Sequence, residues 1–274
     1  MDYGISERRA CSLVLVNRRT FRRPAVADRD AVLRRRLCAL AEERRRFGAP
    51  RLHVLLQREG WQINHKRVER VYREEGLSLR LRRRRKRPSH LRVTLPQATA
   101  MDQCWSMDFV ADNLWNGRRI RALTVIDTWN REAVCIEVDH SLSGARVARV
   151  LEQLRLQGRL PMLIQVDNGP EFTSKALDAW AHQQGVKLQF IRPGKPVDNA
   201  YIESFNGRLR EECLNQHAFR SLPDARHTIE VWRQDYNHAR PHSALDYLTP
   251  VEYREKYQPQ HGLSANLSVG YQMG

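Results

Sequence analysis

Three carboxylate residues stand out because their positions could bring them together at one site. Asp108 interrupts an apolar, strand-like segment, and Asp167 directly follows the apolar run 163–166. A carboxylate within or at the end of a buried strand is unfavourable unless it is paired, hydrogen-bonded or bound to a metal ion. Glu203 lies on a predicted helix whose apolar stripe is distinct from the face that carries Glu203 and Asn206. The three residues together predict one acidic site.

Such a site suits a particular chemistry. Carboxylate oxygens are the ligands that hard cations such as Mg²⁺ or Mn²⁺ prefer. Two such ions can stabilise both the attacking and the leaving oxygen of an in-line phosphoryl transfer, so the protein needs no nucleophile of its own. Taken singly, Asp167 could instead cap the next helix, and Glu203 could be an ordinary solvated glutamate. The sequence shows no persuasive Ser-His-Asp or Cys-His arrangement, no P-loop and no H-E-x-x-H motif.

The elements that must position these residues follow one another in a recognisable order. Residue patterns predict three strands and then an alternation of helices and strands. This order predicts an α/β domain with a mixed five-stranded sheet and flanking helices. The predicted strands cover 104–110, 119–126, 133–138, 162–166 and 187–191, and the predicted helices cover 143–157, 174–184 and 199–214.

The positive charge of the chain is concentrated in its first third. The net charge is +16, yet residues 1–100 carry 27 Lys or Arg against 10 Asp or Glu, and the remaining residues carry 20 against 21. A basic region joined to a nearly neutral one predicts that the first binds a polyanion such as DNA. A merely solubilising surface is the alternative, but mixed charges would solubilise the chain equally well.

The residue pattern of the basic region predicts short helices. Helical spacing predicts segments over 28–47, from Pro50 to Gly60, and from an N-cap at Asn64 to Gly76. Two short helices around a tight turn, the second basic on its outer face, are typical of a helix-turn-helix. We expect DNA contacts from the outer face of the last helix, at Lys66, Arg67, Arg70 and Arg73.

A run of like charges then predicts a domain boundary. We expect a DNA-binding region over 1–80, a basic linker over 81–98, a catalytic core over 99–258 and a tail over 259–274. The linker run could add DNA affinity through Arg82, Arg83, Arg84, Arg85, Lys86 and Arg87. Five scattered cysteines without C-x-x-C spacing predict neither disulfides nor a zinc site, and no apolar stretch predicts a membrane span or an export signal.

Longer strings in the chain resemble a known family. WSMDFV, VDNGPEF and RPGKPVDNAYIESFNGRLREECL are similar to the catalytic core of retroviral-integrase-like transposases, as is the tail string YNHARPHSALDYLTPVEY. The 35 residues between Asp167 and Glu203 match the spacing that gives this D-D-35-E family its name. The best overall likeness is to the second-frame (OrfB) transposase of the insertion-sequence-three family, over roughly residues 5–255.

The resemblance implies a ribonuclease H-like core that cleaves and joins DNA with divalent metal ions at the terminal inverted repeats of a mobile element. It implies that Asp108, Asp167 and Glu203 hold two Mg²⁺ or Mn²⁺ ions. It further implies phosphate contacts at Lys195 and Arg210, with Asn199 as a supporting polar group; a loop charge and a helix-surface ion-pair partner are the alternatives for Lys195 and Arg210.

The resemblance also implies partners and a setting. We expect a bacterial, cytoplasmic protein associated with double-stranded DNA, both element ends and target. Because two ends must be brought together, we expect a homo-oligomer on DNA. Family enzymes carry an upstream-frame segment, which we expect as a fusion or partner. Two alternatives stay open: a non-catalytic DNA-binding regulator of transposition, and a nuclease that cuts without joining.

Overall fold

The computed structural model describes residues 4–22, 28–79, 98–191 and 199–257. The predicted linker run 82–87, Lys195 and the predicted tail over 259–274 lie outside these residues. Within the described ranges, no helix combines the length and the apolar character needed to cross a lipid bilayer.

A mixed five-stranded sheet forms the centre of the second part of the chain. The strands are β1 (Cys104–Asn113), β2 (Arg119–Asp127), β3 (Ala133–Asp139), β4 (Leu163–Val166) and β5 (Lys187–Phe190). Their order is β3-β2-β1-β4-β5. The first three strands pair antiparallel, whereas β4 pairs parallel with β1 and β5 pairs parallel with β4. This sheet confirms the predicted α/β class, and it places β1 at the middle.

Helices cover both faces of the sheet. α6 (Gly144–Leu156) and α7 (Lys175–Gln184) pack on one face, against side chains such as Trp105 and Met107. α8 (Ala200–Glu212) and α9 (Leu222–His238) pack on the other, against side chains such as Val110. Successive side chains of a strand point to opposite faces. Residues 106, 108 and 110 of β1 therefore face α8 and α9.

The first part of the chain is helical, as predicted. Its helices are α1 (Glu7–Leu13), α2 (Arg18–Phe21), α3 (Ala31–Glu43), α4 (Ala49–Arg58) and α5 (His65–Glu74). α3, α4 and α5 enclose a small apolar core that includes Leu37, Leu52 and Val71. α5 begins as predicted, because the Asn64 side chain accepts a hydrogen bond from the Lys66 backbone N–H at 2.9 Å.

The structure adds two helices after α8 for which the sequence patterns gave no prediction. α9 begins after Ser221, whose hydroxyl accepts from the Asp224 backbone N–H, and it carries Trp232 and Tyr236 into the apolar core. α10 (Pro250–Tyr257) packs against α9. Because α9 also contacts β3, these helices complete the cover of the sheet on the α8 side.

Candidate active site

Two of the predicted carboxylates lie level with one another on neighbouring strands. Trp105 pairs with Ile164 and Ser106 with Gln165 in the parallel β1–β4 pair. Two further residues along this register place Asp108 beside Asp167, where β4 has ended. Adjacent strands run about 4.8 Å apart, so the two side chains lie side by side where β4 ends. The register therefore joins residues 59 positions apart in the sequence.

Asp108 is held by a short chain of hydrogen bonds. The Asn206 side-chain amide of α8 donates to Asp108 Oδ2 at 2.8 Å, and the Phe109 backbone N–H donates to Oδ1 at 2.7 Å. Thr124, which pairs with Asp108 across the β1–β2 ladder, has its hydroxyl 2.9 Å from Asn206 Oδ1 and 3.0 Å from the Asp108 carbonyl oxygen. The Asp108 carboxylate only accepts, so it sets the direction of the Asn206 amide. The single hydrogen of the Thr124 hydroxyl then lies between two acceptors and supports that direction.

The third carboxylate approaches from α8. Ile202, Phe205 and Leu209 bury one side of this helix, while Glu203 is exposed one turn before Asn206. Burial raises the pKa of Asp108, and the charges of Asp167 and Glu203 raise it further, against the hydrogen bonds from Phe109 and Asn206. The charges of Asp167 and Glu203 therefore act on Asp108 from the loop after β4 and from α8.

The loop that carries Asp167 is anchored to the sheet at several points. The Gly169 backbone N–H donates to Asp167 Oδ1 at 2.9 Å, which closes a tight turn. Glu171 forms an ion pair with Arg121 of β2, and the Phe172 ring stacks on Phe109 with 5.0 Å between ring centroids. These contacts fix the position of Asp167 relative to β1.

The three carboxylates are suitable ligands for a divalent cation, although their side chains are not arranged around a common point in this structure. In the part of the chain that the structure describes, no group of three or more His, Cys, Asp or Glu side chains is near enough to hold a metal ion. The three carboxylates nevertheless supply the oxygen donors that Mg²⁺ or Mn²⁺ prefers. Asn199 Oδ1, one turn before Glu203, adds a buried acceptor that has no hydrogen-bond partner among the described residues.

The remaining predicted contact residues lie in two places. Lys66, Arg67, Arg70 and Arg73 are all exposed on α5, as the pattern predicted, but Arg67 and Arg70 also form ion pairs with Asp30. Arg210 is exposed on α8 and donates to the Ala111 carbonyl oxygen at 3.3 Å rather than to a carboxylate. Asn199 is buried at the start of α8 and makes no capping bond. The DNA contacts of these residues remain predictions.

Sequence reasoning assigned no role to Thr124 and Asn206. Asn206 carried a signal, since it recurs on the helix face of Glu203. Thr124 carried a weaker one, as a polar residue within the apolar strand β2. The interaction of Thr124 with Asn206 could not be predicted from the sequence, because cross-strand register and helix packing bring residues 108, 124 and 206 together.

Comparisons with known proteins agree with this architecture. A protein-family model described as an integrase core domain matches residues 98–196 of the sequence. A second family model with the same description matches residues 184–250. The model of an HTH-like domain matches residues 27–87. The fold and these matches define an integrase-type core preceded by a helix-turn-helix-like region.

Sequence comparison with related proteins identifies the family within this class of integrase-type proteins. An uncharacterized 31.7 kDa protein of insertion element IS407 from Burkholderia multivorans is 52% identical over 93% of this chain and 92% of its own length. The putative transposase InsK of insertion sequence IS150 from Escherichia coli is 28% identical over 85% of this chain and 87% of its own length. The chain belongs to the insertion-sequence-three family of integrase-like transposases.

One solved structure supports the fold independently of sequence. A chain of the simian T-cell lymphotropic virus intasome, solved with the regulatory subunit B56 gamma of PP2A, superposes with a TM-score of 0.55 at 14% identity. The match covers 86% of this chain and 80% of that chain. The predicted ribonuclease H-like core is thereby confirmed as an integrase-type fold.

Proposed function

We propose that this transposase catalyses divalent-metal-dependent cleavage and strand transfer of DNA at the ends of its insertion sequence. The observation that carries the proposal is the convergence on one sheet edge: the β1–β4 register brings Asp108 level with Asp167, and Asn206 ties the helix of Glu203 to Asp108. Asp108, Asp167 and Glu203 would hold two Mg²⁺ or Mn²⁺ ions. When bound, such ions activate a water or 3′-hydroxyl and stabilise the leaving oxygen.

The protein's own residues prepare this site in three ways. Asn206 and the Phe109 backbone N–H fix both oxygens of Asp108, so the carboxylate keeps one orientation. The Gly169 turn occupies one oxygen of Asp167 and orients the other. Glu203 stays exposed on a helix whose opposite side is buried, so it can meet a ligand without moving the sheet. Positioned groups of this kind lower the barrier of a phosphoryl transfer without a protein nucleophile.

The partners follow from the same proposal. The exposed basic face of α5 supports DNA contact by Lys66, Arg67, Arg70 and Arg73. Arg210 and Lys195 would contact phosphates near the scissile bond, with Asn199 as a supporting polar group. A homo-oligomer on DNA would bring two element ends together, and the upstream-frame protein would act as a fusion or partner.

Cleavage and joining of short duplexes that carry the element's candidate ends test the proposal. The assay uses Mg²⁺ or Mn²⁺ and compares the unchanged chain with Glu203→Gln. Glu255→Gln is the matched control, since it makes the same charge change on an exposed helical residue, in α10. We expect Glu203→Gln to abolish nicking and joining while DNA binding persists, and Glu255→Gln to retain both activities.

Other outcomes separate the alternatives. Full activity in Glu203→Gln would overturn the three-carboxylate site. DNA binding without chemistry in the unchanged chain, persisting after fusion of the upstream-frame segment, would favour a regulator. Nicking without joining would favour a nuclease.

A further inference from the structure

The helix-turn-helix-like region is held against the catalytic core by partly buried ion pairs within one chain, which adjoin a fully buried pair of the core. Arg240, which follows α9, donates to both carboxylate oxygens of Glu212 at 2.7 and 2.6 Å. Arg51 of α4 lies 3.6 Å from the same carboxylate. Arg44, at the end of α3, binds Asp235 of α9 through two hydrogen bonds of 2.7 and 2.6 Å. Paired guanidinium–carboxylate contacts of this kind also fix relative orientation.

An aromatic residue completes this contact. Phe47, in the turn between α3 and α4, is only 5% exposed. The guanidinium groups of Arg44, Arg51 and Arg240 lie 5.7, 5.3 and 5.9 Å from its ring centroid. Two of these groups come from the helical region and one from the core. The start of α4 is therefore fixed beside α8 of the same chain.

A cleft of about 1480 Å³ lies where the two regions meet. We call it the α4–α8 cleft. One wall is formed by the start of α4 together with α5, and the other by the exposed face of α8. The lining residues include Arg46, Arg51, Tyr72, Glu203, Ser204 and Arg208. The cleft thus runs from the helix-turn-helix-like region to the carboxylate of Glu203.

The charges in the cleft favour an anion at its α4 end. Burial together with the nearby charges of Arg240 and Arg208 lowers the pKa of Arg51 to about 10, against the opposing charge of Glu212. Acidic residues also line the cleft, but Glu69 pairs with Arg73 at 3.6 Å and Glu211 pairs with Arg208 at 3.1 Å. Arg46 has no ion-pair partner among the described residues.

The start of α4 supports the same preference. No side chain among the described residues caps this helix, so the positive end of its dipole faces the cleft.

We propose that the α4–α8 cleft binds the phosphodiester backbone of a DNA strand, so that one chain guides the strand from its own helix-turn-helix-like region to its own Glu203. This inference rests on the proposed function and adds the path of the strand to it. Arg46, Arg51 and the start of α4 bind phosphate at one end. Arg208 and Ser204 contact the strand along α8.

The first test measures binding without divalent metal. The probe is a short fluorescein-labelled duplex with an unpaired 3′ extension, titrated at several salt concentrations. The double variant Arg46→Gln, Arg208→Gln removes one cation from each wall. Its control, Arg45→Gln, Arg149→Gln, removes two exposed arginines outside the cleft, one from each part of the chain. We expect the log–log salt slope to fall by about two in the cleft variant, with at least about tenfold weaker binding. An equal loss in the control would overturn the proposal.

The second test distinguishes one chain from two. Arg46→Gln and Arg208→Gln chains are mixed in equal amounts, and the same probe is titrated. If both arginines act in one chain, every cleft in the mixture lacks one of them, and tight binding does not return. If the two walls come from different chains, some clefts contain both arginines. A recovered tight-binding fraction would overturn the proposal.

Since both tests omit metal, their outcome is separate from whether the chain cleaves DNA.

Discussion

The Asn206 side-chain amide donates to Asp108 Oδ2 across 2.8 Å and so connects α8 with the central strand of the sheet. Asn206 Oδ1 lies in turn 2.9 Å from the fully buried hydroxyl of Thr124. An amide that presented its oxygen to Asp108 would repel that carboxylate, so the direction of the amide matters. The helix that carries Glu203 is therefore placed relative to Asp108 by a hydrogen bond that the Thr124 hydroxyl supports from the other side of the amide.

Thr124→Val should weaken this arrangement while it preserves the shape of the side chain. Asn206 Oδ1 and the Asp108 carbonyl oxygen both lose their contact with a hydroxyl inside the protein. We expect a loss of about 1–3 kcal/mol in the free energy of unfolding and a fall in metal-dependent DNA cleavage. Denaturant unfolding and the cleavage assay measure the two effects.

Thr124→Ser is the control for that prediction, because it keeps the hydroxyl and removes only a methyl group. It should retain most of the cleavage activity. If valine and serine at position 124 were equally active, Thr124 would have no part in orienting Asn206.

Gly144→Ala tests the close packing beneath the Asp167 loop. A Cβ atom at this position would lie 1.9 Å from Ser174 Oγ and 2.7 Å from the Glu171 carbonyl oxygen. Ser174 caps α7 and Glu171 belongs to the loop that follows Asp167, so the loop must shift. We expect a loss of about 1–3 kcal/mol in stability, measured by thermal unfolding, together with reduced cleavage.

Gly207→Ala provides the contrast on α8. Apart from the backbone of α8 itself, no atom of the described residues lies within 4 Å of a Cβ at this exposed helical position. Alanine should therefore stabilise the protein by about 0.5–1 kcal/mol through helix propensity. A comparable destabilisation by both substitutions would contradict the packing argument for Gly144.

Asp127 should make stability depend on pH. This carboxyl is fully buried at the end of β2, and burial raises its pKa to about 6, against hydrogen bonds from the Asp102 and Trp129 backbone N–H groups. A pKa raised in the folded state favours the protonated form. The associated stability is present below the unfolded pKa of about 4 and is lost as pH rises through about 6.

Unfolding of the unchanged chain and of Asp127→Asn across this pH range measures the effect. The stability of the unchanged chain relative to the variant should fall by at most about 3 kcal/mol between about pH 4 and pH 7, since the shift is about two pKa units. A flat difference for Asp127→Asn would mean that folding does not raise the pKa of Asp127.

Glu212→Gln tests the contact between the helical region and the core. Arg240 and Glu212 have side chains only 3% and 8% exposed, so the substitution leaves a buried guanidinium without its anion. We expect a loss of about 3–5 kcal/mol in the free energy of unfolding. The double substitution Glu212→Leu, Arg240→Met should recover part of this loss, because it removes the buried pair while Arg51 still lacks its anion. If the double variant lost just as much free energy of unfolding, the loss would be due to altered packing and not to an unpaired charge.

The sequence by itself determined the class of fold and the acidic residues. Strand and helix periods depend on neighbours only a few positions apart, so they predicted the five strands, α6 to α8 and α3 to α5. Asp108 was conspicuous because a charge in an apolar strand needs an explanation, and the spacing of Asp167 and Glu203 supported the family resemblance. The concentration of arginine in the first third of the chain was likewise visible in the sequence alone.

Only the tertiary structure decided which distant residues meet. Strand register placed Asp108 beside Asp167 and opposite Thr124, and the packing of α8 brought Asn206 to that pair. The contact of Arg51 with Glu212 depends on how two separately folded parts of the chain pack together. Local periodicity contains neither register nor packing orientation, because both are set by side-chain contacts between segments far apart in the sequence.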